Sequence, residues 1–193
     1  MVFPAMLKGD FIERMSDEEF FHFCQQNRDV KIERDADGKI IIMSPTHFLT
    51  GRRNFQILFQ LGKWNEHHRL GECVDSDTGF TLKNGAVRNP DAAWISNEQL
   101  SKLSAKDLQS FPHLCPEFIV ELKSKSDSLP DLKLKMKEWM ANGCRLGWLV
   151  DADEEVIYIS SEESESIHDD FDQPLSGGNV LLNFQLTLSE LRR

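Results

Sequence analysis

Hydrophobic residues recur along this chain at more than one spacing, and each spacing predicts a different element. Ser16-Asp-Glu-Glu19 has the form of a capping box with Ser16 as N-cap, and Phe20, Phe21, Phe23 and Cys24 belong to the helix it starts, which frays near Asn27. Residues 30–33 and 39–43 read as two strands. The Asp35-Ala-Asp-Gly38 turn joins them into an antiparallel hairpin, which Pro45 ends. A helix from about 50 to 67 follows, with Phe55, Leu58, Phe59 and Gly62 as its apolar stripe. Residues 71–96 are rich in strand pattern: 73–75, 79–83, a hairpin signal at Asn84-Gly85 and a return over 87–95. Pro90 restricts that return to an edge or to the strand's beginning.

Residues 97–110 form a polar insert with leucines at 100, 103 and 108, read as short helix covering the sheet. Residues 117–124 are an apolar strand. The helix expected over 129–142 buries Leu132, Met136, Trp139 and Met140, and Gly143 suits the left-handed position after its end. Residues 146–150 are almost wholly apolar, as a central strand is. Strand, helix and strand in this order imply a right-handed parallel crossover. An alternating strand over 155–160, an acidic loop and a short apolar tail over 180–188 complete the chain. The order describes a mixed sheet flanked by helices, α/β or α+β in class. One domain is expected over 1–193, with 1–27 as an N-terminal helical extension and no repeat or linker.

Composition narrows the function. A net charge of −10 argues against indiscriminate nucleic-acid binding. The charge is unevenly placed, however. Glu162, Glu163, Glu165, Asp169, Asp170 and Asp172 gather in one loop, whereas Lys123, Lys125, Lys133, Lys135 and Lys137 crowd beside the 117–124 strand. That basic patch suits a phosphate substrate as well as it suits a solvated helix face. Arg52 and Arg53 sit in a helix's first turn, where the dipole disfavours cations. This suggests another task, such as holding phosphate, beside the plain reading of solvated side chains. Cys24, Cys73, Cys115 and Cys144 lack zinc-site spacing and read as free thiols in a reducing compartment. No apolar run is long enough to span a bilayer and residues 1–10 lack the order of a secretory signal, so a cytoplasmic protein is expected.

The chemistry concentrates in Phe118-Ile-Val-Glu-Leu-Lys123. Residues two apart on a strand share a face, so Glu121 and Lys123 project together while Phe118, Val120 and Leu122 project oppositely. Pro90-Asp91 opens another strand-like run. If the two pair, Asp91, Glu121 and Lys123 converge. Buried charge is costly unless paired or metal-bound. Two hard carboxylates suit Mg²⁺, or Mn²⁺ in its place, with the Leu122 carbonyl as a third ligand. A metal-activated water would be the nucleophile, and Lys123 would orient it or hold the scissile phosphate. The same letters also fit a plain ion pair of Glu121 with Lys123 and a turn at Asp91. His47, His67 and His68 read as surface or helix-end residues, and no catalytic Ser/His/Asp order or glycine-rich phosphate loop occurs.

The chain resembles the Uma-two family of restriction-endonuclease-like proteins within the PD-(D/E)XK nuclease superfamily. The resemblance rests on Asp75-Ser-Asp-Thr-Gly-Phe80, Asn84-Gly85, Arg88-Asn-Pro-Asp91 with Trp94-Ile95, and Pro116-Glu-Phe-Ile-Val-Glu-Leu-Lys-Ser124. Ser126-Asp127, Lys135, Trp139, Gly143 and Trp148-Leu-Val-Asp151 extend it, as do Ile32-Glu-Arg34, Gly38 and Met43-Ser-Pro45. It covers the chain from about residue 28 onward. The resemblance implies a restriction-endonuclease-like three-layer α/β/α sandwich and a Mg²⁺-dependent endodeoxyribonuclease. Asp91 and Glu121 take the place of the metal-binding acids and Lys123 that of the motif lysine, with Glu33 and Lys135 as support residues. Trp139 stands where the family usually has tyrosine, which puts a role for that hydroxyl in doubt. The partner implied is DNA, and cutting both strands would favour a symmetric homodimer. Two other readings stand beside it: a non-catalytic binding or accessory protein that kept the fold, and a nuclease acting on RNA.

Overall fold

A computed structural model describes residues 5–192. Residues 1–4 and 193, the ends of the expected 1–193 span, lie outside the described residues. The elements are β1 (Ala5–Leu7), α1 (Asp10–Glu13), α2 (Asp17–Gln26), β2 (Lys31–Arg34), β3 (Ile40–Met43), α3 (Phe48–His68), β4 (Gly71–Asp75), β5 (Phe80–Thr81), β6 (Val87–Arg88) and β7 (Ala92–Ser96). They continue as α4 (Asn97–Leu100), β8 (Phe118–Leu122), α5 (Leu129–Asn142), β9 (Leu146–Asp151), β10 (Val156–Ser161), β11 (Glu165–His168), β12 (Leu175–Ser176) and β13 (Gln185–Leu186).

The strands form several sheets where the sequence suggested one mixed sheet. The large sheet has the order β11-β10-β9-β8-β7-β4, a smaller one β1-β3-β2-β6-β5, and β12 pairs with β13. In the large sheet only β8 and β9 run parallel, joined through α5 by the expected crossover. Both of these central strands are buried along their whole length. Their even-numbered residues, Phe118, Val120, Leu122, Trp148 and Val150, pack with Ile57, Leu61 and Trp64 of α3 and with the C-terminal tail. The odd-numbered Ile119 and Leu149 pack with Met136 and Trp139 of α5. Helices therefore cover opposite faces of the large sheet. Phe20 of α2 joins Ile32, Ile40 and Val87 in a third core on the small sheet.

Local signals place the ends of these elements. Ser16 and Glu19 exchange both bonds of the capping box that starts α2. Gly143, at φ 114°, closes α5 in the left-handed conformation that a side chain would strain. At Asn84-Gly85 the hairpin forms with a three-residue loop: Leu82 N–H bonds the Ala86 carbonyl at 2.8 Å, and Gly85 takes φ 86°.

Three expectations need correction. The run over 87–95 is two strands, β6 in the small sheet and β7 in the large one, because Asn89-Pro90-Asp91 carries the chain between sheets. The acidic loop contains β11, which pairs with β10 at the edge of the large sheet. Third, α3 buries Arg53, Ile57, Leu61 and Trp64, not the stripe of Phe55 and Phe59, which stay 60% and 55% exposed.

Arg53 holds no phosphate. Its guanidinium donates to the carbonyls of Leu191 at 2.8 Å and Ala152 at 3.3 Å and pairs with Asp153 at 2.7 Å. Arg52 donates to the Glu190 carbonyl at 2.9 Å. Together they fasten the tail beneath α3, so a helix start that repels cations holds them because carbonyls and a carboxylate surround them. Arg53→Met strips two carbonyls and Asp153 of their donor. It should lower stability by about 3 kcal/mol, as loss of buried charge-assisted hydrogen bonds does, read from the urea midpoint at constant slope.

Candidate active site

The strand pattern places Glu121 on the α5 side of the large sheet, among otherwise apolar neighbours, with the residue only 3% exposed. Asp91 reaches the same face from the step between the sheets. Its backbone N–H bonds the Val120 carbonyl at 2.9 Å, and its carboxylate accepts from the Leu122 N–H at 2.7 Å. β7 begins at Ala92, opposite Val120, so Leu122 lies past the end of that ladder and the Asp91 side chain takes over the missing partner. The two acids, from distant parts of the sequence, thus meet at the C-terminal end of β8.

Lys135, on α5, points its ammonium into this corner. Nζ lies 2.8 Å from Glu33 Oε1 and 3.0 Å from Glu121 Oε1. Glu33 comes from β2 in the small sheet. It also accepts from the Asn89 backbone N–H at 3.0 Å and pairs with Arg88 at 3.0 Å, while Arg88 pairs with Glu138 of α5 at 2.6 Å. Trp139 Nε1 donates to Glu121 Oε1 at 2.8 Å. The indole N–H therefore supplies the donor that a tyrosine hydroxyl would offer in this position. Asn89 Oδ1 is buried here without a hydrogen-bond partner.

Lys123 stands apart. It shares the α5 side of the sheet by alternation, yet its ammonium pairs with Asp151 at the end of β9, 3.1 Å away. The structure thus brings Asp91, Glu121, Glu33 and Lys135 into one cluster and leaves Lys123 at its flank. Sequence reasoning missed three participants: Lys31, 4.0 Å from Asp91, Arg88 and Asp151. Lys31 had a signal, since β2 alternation puts it on the same face as Glu33. Arg88 and Asp151 lay within the segments carrying the family resemblance, but nothing local assigned their partners.

The electrostatics follow from this packing. Burial raises the Glu121 carboxyl, and the neighbouring Asp91 and Glu33 add to it, against Lys135 and the Trp139 N–H, so that it titrates at about 7. Asp91 is likewise raised, chiefly by burial, with Lys31, the Leu122 N–H and Lys135 opposing. Glu33 suffers the same burial, but Lys135 and Arg88 outweigh it and hold this acid below its ordinary value. Burial works against the Lys135 ammonium, and the attraction of Glu121 and Glu33 prevails, so it stays charged.

Among the described residues, no group of three or more histidine, cysteine, aspartate or glutamate side chains is gathered as a ready metal cage. The donors at the end of β8 are two carboxylates, Asp91 and Glu121, beside the Leu122 carbonyl. Such an all-oxygen set fits Mg²⁺, which commonly takes one or two carboxylates and keeps several waters. The raised Glu121 marks a place where negative charge exceeds the local compensation, as a cation site requires.

The profile of the Uma2 family, described as "Putative restriction endonuclease", matches residues 17–189. The fold is similar to a crystal structure described as "a putative nuclease belonging to DUF820 from Anabaena variabilis ATCC 29413". The TM-score is 0.70 over 83% of this chain and 89% of that one, at 15% identity. At such identity the likeness concerns the fold. No curated protein matches the chain. Among the described residues, no helix is long and apolar enough to cross a membrane.

Proposed function

Given that the chain belongs to the Uma2 family, we propose that it is a Mg²⁺-dependent endodeoxyribonuclease of the restriction-endonuclease-like three-layer α/β/α sandwich. The observation that carries this reading is the meeting of Asp91 and Glu121 at the end of β8. Asp91, Glu121 and the Leu122 carbonyl hold the ion in this reading, with Mn²⁺ as its substitute. When bound, the ion activates water and stabilises charge on the phosphate. Lys135 keeps Glu121 oriented through its 3.0 Å pair, and Trp139 fixes the other side of the carboxylate. Lys123, tied to Asp151 at the rim, is the cation that meets the scissile phosphate. Glu33 anchors Lys135 from the small sheet and acts through it.

Supercoiled-plasmid nicking in Mg²⁺ tests the reading directly. Wild type should nick and Asp91→Asn should not, and equal activity in both would overturn it. Binding should also depend on pH in a defined direction. The ion needs Glu121 ionised, and this carboxyl titrates at about 7. Mn²⁺ affinity by calorimetry should therefore be level above pH 8 and fall about tenfold per unit below pH 7, with proton release on binding. The sign is opposite for the metal-free fold. A folded carboxyl raised above its unfolded value binds a proton that the unfolded chain has released. Stability therefore declines as pH climbs from the ordinary carboxylate range through about 7.

A second reading, a non-catalytic binding protein retaining the fold, draws on one observation. The Lys135 ammonium already lies between Glu33 and Glu121. Such a protein would show no Mn²⁺ heat that disappears in Asp91→Asn.

A further inference from the structure

The outer face of α3 carries large aromatic surface that packs on nothing in the chain. Phe48, Phe55 and Phe59 are 88%, 60% and 55% exposed, and the Phe55 and Phe59 rings stack with centroids 6.0 Å apart. Phe48, Arg52, Phe55, Phe59, Gly62 and Glu66 follow one another at alternating steps of four and three. That spacing keeps them on one stripe of the helix and is the seam by which a helix packs on another helix. Beside Phe59, a groove of about 460 Å³ is lined by Leu58, Phe59, Gly62, Lys63 and Glu66. A Cβ placed on Gly62 would meet nothing within 4 Å, so the groove is open over that glycine.

The charges on this seam select the occupant. Arg52 and Glu66 lie seven residues to either side of Phe59. A two-fold axis through Phe59 sets each residue against the one equally far on the other side. Arg52 then faces the partner's Glu66. Phe55 faces the partner's Lys63 and its neighbour Gly62, where the groove lies open. Arg52 also donates to the Glu190 carbonyl at 2.9 Å, which positions the guanidinium along the seam. Aromatic anchors flanked by complementary charge are the anatomy of a protein interface, and an apolar stripe of this kind is otherwise a liability in water.

We propose that α3 is the interface of a two-fold homodimer, packed antiparallel on the α3 of a second copy with Phe59 at the axis. α3 and α5 cover opposite faces of the large sheet, so this dimer leaves the Asp91–Glu121 corner of each copy uncovered.

Sedimentation velocity across the micromolar range tests the interface. Wild type should dimerise, and Phe59→Asp should raise the dissociation constant about 100-fold, as loss of a central aromatic anchor does. Glu66→Arg should weaken the dimer about tenfold, and the pair Arg52→Glu with Glu66→Arg should restore it. Phe59→Cys should form an intermolecular disulfide on mild oxidation, because the residue sits on the axis. Wild type monomeric throughout, with the face left for another partner or none, would overturn the proposal. So would a dimer untouched by Phe59→Asp. Mn²⁺ affinity should be the same in Phe59→Asp as in wild type, so failure here and failure of the nuclease reading are told apart.

Discussion

Glu121→Gln should reduce Mg²⁺-dependent nicking of supercoiled plasmid by about 10²–10³-fold, the range lost when one preorganised charge-stabilising group is removed. The substitution keeps the volume and the Trp139 contact, since an amide oxygen still accepts the indole N–H. What it removes is the charge. The metal-free protein should gain slightly in stability, because the lost carboxylate is the one that burial, Asp91 and Glu33 all disfavour. Activity down and thermal midpoint level or up is a combination that global unfolding cannot produce. Nicking unchanged from wild type would place the metal site elsewhere.

Lys135→Met should be the most destabilising single change in the corner, by about 3–5 kcal/mol at pH 8, the range for leaving buried charge without its partner. The Glu33 and Glu121 side chains it serves are 3% and 4% exposed, so water cannot replace the ammonium. Glu33 keeps Arg88, while Glu121 keeps only the Trp139 N–H among its stabilising contacts. At pH 6 Glu121 can take up a proton, and the deficit should shrink. Millimolar Mg²⁺ at pH 8 should restore part of it by supplying positive charge to the same carboxylate. Urea unfolding at both pH values, with and without the ion, separates these effects. A deficit under about 1 kcal/mol at pH 8 would mean that solvent reaches the acids after all.

Local chemistry made much of this legible in advance. The Ser16 cap, the β2–β3 hairpin, the β8–α5–β9 crossover and the Gly143 turn each follow from a few neighbouring residues. So does the face shared by Glu121 and Lys123. What the sequence concealed was decided by partners far along the chain. α3 offers two stripes at helical spacing, one with Phe55 and Phe59 and another with Ile57, Leu61 and Trp64. Only the tail, reaching back to Arg53, Gln60 and Trp64, decides which is buried. Lys123 shares a strand face with Glu121, but the C-terminal end of β9 presents Asp151 to it. The step at Asn89-Pro90-Asp91 looked like continuous strand because both halves are strand. Its function as a passage between sheets depends on pairings with β2 and β8.

The Lys135 ammonium joins Glu33 of the small sheet to Glu121 of the large one, and α5 carries it. One cation therefore fastens three structural units at the spot proposed for chemistry. Catalysis and cohesion share that rivet, so a variant cannot sharpen one without straining the other.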